Sequence, residues 1–135
     1  MTTREDMTVT KITEEAFTAA MRAAVAERGA DYVFPGFEDE VSRAEGWRDE
    51  AGMCQYRNSA DEPACLIGLA LHKIDPALVP PHGAVKGADL VLGELGAPYA
   101  LQIAASEAQD TQDGGQPWGL ALAAYSEVLA ERAAA

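Results

Sequence analysis

The run Cys65-Leu66-Ile67-Gly68-Leu69-Ala70-Leu71 is apolar on every side. A helix built from it has no polar face to offer water, so other elements must surround it. That requirement makes it the expected centre of the core. Pro63 suits the first helical position, with Asp61 and Glu62 just ahead of it. Asp75-Pro76 ends the segment, because the residue before a proline is pushed out of helical geometry. A chain of 135 residues can supply one such surround but not two, since each half would bury too little apolar surface. The expectation is a single compact domain over residues 12–135, preceded by a flexible tail at 1–11.

Local signals place four further helices. Thr13 offers a side-chain cap, Glu14 and Glu15 put negative charge on the first turn, and Phe17, Met21, Ala24 and Val25 recur on one face before Gly29. This predicts a helix over 13–28. A brief helix from Ala88 to Leu95 stops at Gly96, Pro98 opens another to about Gln112, and Pro117 opens the last, through Ala134. Leu101, Ala105, Ala108 and Gln112 share one face of the first long helix, and Trp118, Leu122, Tyr125 and Leu129 share one face of the second.

Two stretches read as β instead. Tyr32-Val33-Phe34 is closed by Pro35-Gly36, and Met53-Cys54-Gln55-Tyr56 alternates before the turn formers Asn58 to Pro63. Residues 31–62 hold nine acids and three bases, as in a solvated connection, although Phe37, Val41 and Trp47 must dock somewhere. The fold class expected is therefore α+β, mostly α. Four to five helices would pack with a small β-hairpin or short antiparallel sheet.

Composition supports the helical emphasis. Twenty-seven residues are alanine, so large core side chains are fewer than the 48% hydrophobic fraction suggests. Ten Lys and Arg stand against 22 Asp and Glu, a net of −12, which excludes a general basic surface for nucleic acid. No apolar run approaches the ~18–20 residues of a membrane span, and Met1 to Asp6 lacks a basic-then-apolar leader. Those features predict a cytoplasmic protein that engages neither nucleic acid nor membrane directly.

Candidate chemistry is sparse. Cys54, Cys65, His72 and His82 could supply four zinc ligands, but no CxxC or HxxxH spacing preorganises them, so no metal and no cofactor is expected. Cys65 and His72, seven residues apart on one helix, lie about 10.5 Å apart along its axis and cannot activate each other. Cys54 with His72 stays geometrically open but lacks an orienting third group. In a reducing compartment both cysteines are expected to be buried free thiols. Phosphate-binding loops, a nucleophile elbow and calcium-loop spacing are all missing. Gln109 to Gly119 is the most individual stretch. There Gln112, Asp113 and Trp118 either grip a small ligand or build a helix-to-helix corner, in which Asp113 shapes the turn and Trp118 locks it.

The elements Cys54-x-Tyr56, Pro63-x-Cys65-Leu66-Ile67-Gly68-x-x-Leu71 and Gln109-x-x-Gln112-Asp113-x-Gly115-x-x-Trp118-Gly119-x-Ala121-Leu122 resemble a pattern in small proteins of actinobacteria and their bacteriophages. The likeness spans residues 29–125. It implies a host range and a phage origin, and no reaction.

Charge placement says more about function. Between Lys86 and Arg132 no Lys or Arg occurs, while Asp89, Glu94, Glu107, Asp110, Asp113 and Glu127 all fall there. The expectation is an acidic, non-enzymatic interaction or regulatory protein, phage-encoded and binding a host protein through a basic surface. One alternative is a small enzyme or ligand-binding protein, with a pocket near Cys54 or His72 and the Gln112-Asp113/Trp118 corner; Tyr56 and Cys65 complete the ligand or partner candidates. Another is a DNA-mimic inhibitor, although its carboxylate rows would be denser. Leu120, Val128 and Leu129 could also pack the last helix against a second copy, giving a homodimer.

Overall fold

Five α-helices and one 3-10 turn form the regular structure among the described residues, which in this computed structural model are 12–34, 56–58, 60–84 and 86–134. The helices are α1 (Glu14–Arg28), α2 (Leu66–Ile74), α3 (Ala88–Glu94), α4 (Tyr99–Asp113) and α5 (Trp118–Ala134), with the 3-10 turn at Pro76–Leu78. α4 packs most extensively on α5, α1 on α2, and α3 on α4. None of these helices is long and apolar enough to cross a membrane. The expected tail at 1–11 and the docking of Phe37, Val41 and Trp47 lie outside the described residues.

The local signals act as the sequence implies. The Thr13 hydroxyl accepts from Ala16 N at 3.1 Å, which satisfies one of the unpaired donors at the start of α1. Phe17, Ala20, Met21, Ala24 and Val25 form its buried face. In α2 every residue from Leu66 to Leu71 is buried, as an all-round apolar helix requires. α4 presents Ala104, Ala105 and Ala108 to its neighbours, all fully buried, and these small side chains let helices approach closely. Arg132 near the end of α5 lies 5.3 Å over the ring of Tyr99 at the start of α4, so the two helices run antiparallel. The Tyr125 hydroxyl meets Thr18 Oγ1 at 2.6 Å and its ring lies 6.0 Å from that of Phe17, which ties α5 to α1. Burial pushes the Tyr125 phenol up to about 12.

The expected β element does not appear among the described residues. Among the described residues the architecture is mainly α, and the only pairing of β type is an isolated antiparallel bridge between Arg57 and Pro63. Tyr32–Phe34 has the right side chains for a strand, yet its backbone is used differently. The carbonyls of Ala30 and Tyr32 accept from Gly119 N and Trp118 N, both at 2.8 Å, and so terminate α5 instead of pairing with a strand. Tyr56 returns its carbonyl to Ala64 N at 2.9 Å, and Met53–Gln55 lies outside the described residues. Pro63 likewise does not open α2. It sits in the bridge, and Cys65 takes the capping position, its Sγ accepting from Gly68 N at 3.3 Å.

Candidate functional site

The residues singled out from the sequence fall into three places. Tyr56, Gln112, Asp113 and Trp118 come together in one buried polar system. Cys65 lies against the same system but is occupied by its own bond. His72 lies on another side of α2.

The buried system starts from the spacing of Gln109 and Gln112, one turn apart on the apolar face of α4 and only 4% and 1% exposed. Buried amides must find partners, and helix N-termini carry unpaired N–H groups. Each glutamine resolves both demands at once. Gln112 Oε1 accepts from Leu66 N, the first residue of α2, at 2.8 Å and from the Trp118 indole at 3.1 Å. Gln109 Oε1 accepts from Ala88 N, the first residue of α3, at 2.8 Å, and its Nε2 donates to the Tyr56 hydroxyl at 3.0 Å. Tyr56 in turn donates to the Lys86 carbonyl at 2.6 Å. One face of α4 thereby caps two other helices, and the corner at Trp118 is part of the scaffold.

Electrostatics within this system are uneven. Gln112 Nε2 donates to Asp113 Oδ1 at 2.9 Å, while Asp113 Oδ2 is buried without a hydrogen-bond partner among the described residues. Burial raises the Asp113 carboxyl to about 7, the Gln112 bond opposes that, and the charge of Asp110 adds to it. Burial also drives the Tyr56 phenol far above its ordinary value, against the Gln109 bond, with Asp113 and Asp89 adding to the rise. Tyr56 is therefore a neutral donor at any physiological pH.

Cys65 is fully buried and disulfide-bonded, which corrects the expected free thiol. A sulfur so occupied is neither a nucleophile nor a zinc thiolate. Cys54 lies outside the described residues. His72 lines a surface groove of about 570 Å³ together with Glu27, Arg28, Asn58, Leu69 and Lys73. Lys73 pairs with Glu27, and that bond, with the charges of Lys73 and Arg28, holds the Glu27 carboxyl below its usual range against the opposing effect of burial. Arg28 also covers the Tyr32 and Trp118 rings at 5.4 and 5.7 Å, so the fully buried indole lies behind the groove wall. His82 contacts the Arg57 carbonyl through Nδ1 at 2.9 Å. Among the described residues no group of three or more His, Cys, Asp and Glu is placed to hold a metal ion.

The acidic residues are arranged differently again. Asp89, Glu94, Glu107, Asp110 and Glu127 are all exposed, on α3, α4 and α5. Among the described residues only Glu94 of these five is ion-paired, to Lys86 at 2.9 Å. Gln109 and Glu131 had no place among the sequence candidates. Gln109 was detectable from its helical spacing to Gln112 on an alanine-rich face, and Glu131 from its place before Arg132, where it is also exposed. Comparison of the chain with models of known families, with curated proteins and with solved structures finds no match.

Proposed function

We propose that the chain is an acidic, non-catalytic interaction protein whose C-terminal helices present carboxylates to a basic protein surface. The observation that carries this reading is the exposure of Asp89, Glu94, Glu107, Asp110 and Glu127 on three successive helices, in a stretch without Lys or Arg between Lys86 and Arg132. Unpaired exposed carboxylates lose little solvation until a cation meets them, so they favour fast, salt-sensitive association. The rival reading, a pocket near Cys54 or His72 and the Gln112-Asp113/Trp118 corner, is weakened at the corner, where Gln112 and Trp118 are consumed in capping and packing, whereas His72 lines the surface groove and Cys54 lies outside the described residues. Resemblance to small phage proteins adds a host protein as the class of partner. The cytoplasmic setting expected from the sequence is not carried into this reading, because Cys65 is disulfide-bonded.

The test is affinity capture from host extract with the wild-type chain and with a Glu107→Gln/Asp110→Asn/Glu127→Gln variant, at low and at physiological ionic strength. A basic protein should be retained by the wild type, and its affinity should fall roughly tenfold or more in the variant and again with salt. Equal retention by both chains, or none at low salt, would overturn the proposal. Addition of duplex DNA separates mimicry from general acidity, since a mimic's partner is released by DNA in proportion to its own DNA affinity.

A further inference from the structure

Asp113 occupies a position that disfavours a carboxylate for three separate reasons of geometry. It is the last residue of α4, where unpaired carbonyls form the negative end of the helix dipole, and no basic residue lies in that turn to offset them. Asp110 stands one turn back on the same helix. Oδ2 is buried and has no hydrogen-bond partner among the described residues, so an anion there forgoes water without compensation. Burial and Asp110 accordingly raise the carboxyl to about 7, against the bond from Gln112. The groups that face it from other elements do not relieve this balance. The segment before α2 brings the Tyr56 phenol, which stays neutral, and α3 brings Asp89, whose charge adds to that of Asp113 at Tyr56. The start of α2 brings Cys65, which is disulfide-bonded and does not titrate. The start of α5 brings Trp118, and Arg28 of α1 reaches this system through the indole ring, 5.7 Å from its centre.

What this carboxyl holds is the corner itself. Oδ1 accepts from Gln112 Nε2 at 2.9 Å, and the oxygen of the same amide takes Leu66 N and the Trp118 indole. The residues that follow, Gly114, Gly115 and Gln116, are exposed, so water is one side-chain rotation away. We propose that Asp113 is a proton-operated latch: with its proton it lies against Gln112 and holds the α4–α5 corner on the first turn of α2, and without it the side chain swings out past Gly114 and releases the Gln112 amide. The latch is closed at low pH and opens as pH rises through the range in which the carboxyl ionises. Outside, the anion regains the solvation that the buried position denies it. Gln112 then keeps the two bonds its oxygen accepts but loses the contact that fixes its amide plane, so Leu66 N and the indole open to solvent more often. Nothing in this device depends on the acidic face of the C-terminal helices.

The test is a two-dimensional NMR titration of the full chain from pH 3 to pH 9. It follows the Asp113 carboxyl carbon, the Gln112 side-chain amide, the Trp118 indole N–H and the exchange protection of Leu66 N–H. The carboxyl should titrate near pH 7, and the Gln112 and Trp118 signals should move with the same midpoint. The protection factor of Leu66 should fall by roughly tenfold between pH 6 and pH 8. A carboxyl that titrates near 3.8 overturns the latch, and so does one that titrates near 7 while Gln112, Trp118 and Leu66 stay unchanged. Asp113→Asn keeps an oxygen for Gln112 and cannot ionise, so its signals should hold their low-pH positions throughout. Persistence of the pH response in that variant overturns the assignment to Asp113. Asp110→Asn removes only a neighbouring charge, so the coupled movement should remain with a lower midpoint; its disappearance there would place the proton on Asp110 and overturn the proposal.

Discussion

At the scale of single residues, Gln112 shows what a buried amide is for. Its oxygen serves the first N–H of α2 and the Trp118 indole together, and its nitrogen serves Asp113. Gln112→Leu keeps the volume and leaves two buried donors unpaired, which should cost about 2–4 kcal/mol in urea unfolding. A loss below about 0.5 kcal/mol would show that water replaces the amide. Asp113 makes the opposite case, an acid whose neutral form the fold favours. Its folded pKa, about 7, lies above the ordinary 3.8, so its favourable contribution is complete below pH 3.8 and is lost as pH rises through 7. Asp113→Asn should remove that slope. The stability of the variant relative to wild type should rise between pH 4 and 8 by on the order of 1 kcal/mol, after allowing for solvent screening of a partly exposed group. Parallel pH profiles for the two chains would contradict the assignment.

At the scale of elements, the helices are held by what meets their ends. α1 caps itself through Thr13 and α2 in part through Cys65, while α2, α3 and α5 also receive partners from elsewhere in the chain. The first kind of cap is visible in a few consecutive residues, and so are the stops at Gly29, Asp75-Pro76 and Gly96. Caps of the second kind depend on Gln109, Gln112, Ala30 and Tyr32, residues far away in sequence, and no local pattern reports them. That is why Tyr32–Phe34 reads as a strand and is in fact the seat of the α5 N-terminus. Gly68 marks the closest approach between elements, because any Cβ there would collide with the Tyr56 carbonyl. The colliding atom is backbone, so it cannot swing aside. Gly68→Ala should therefore destabilise by about 1–3 kcal/mol, as overpacked cores do, despite the better helix propensity of alanine. Differential scanning calorimetry reads this as a lower Tm, and a rise in Tm would mean the Tyr56 segment yields freely.

For the whole molecule, a net charge of −12 is a constraint as well as a signal. Exposed carboxylates without partners repel one another in the folded chain more than in the expanded one. Raising sodium chloride from low to physiological concentration should increase Tm by a few degrees, since the Debye length falls to about 8 Å. A falling Tm would mean that ion pairs such as Lys73–Glu27 and Lys86–Glu94 outweigh the repulsion. Leu120 and Tyr99, 53% and 64% exposed, leave some apolar surface on α4 and α5. Val128 and Leu129 instead pack partly against the chain's own core.

Helix positions, their buried faces and the unbalanced charge of the C-terminal half follow from neighbours three or four residues apart, because helical hydrogen bonds and amphipathic spacing are local. Burial of the Gln109–Gln112 pair, the rise of Asp113 to about 7 while Asp110 stays exposed, and the loss of the expected β element come from contacts between distant segments. The same is true of the sulfur chemistry. Two cysteines in an acidic chain are compatible with free thiols or a disulfide, and only the folded chain, in which Cys65 is disulfide-bonded, distinguishes them, because a covalent bond between residues needs proximity that composition does not encode.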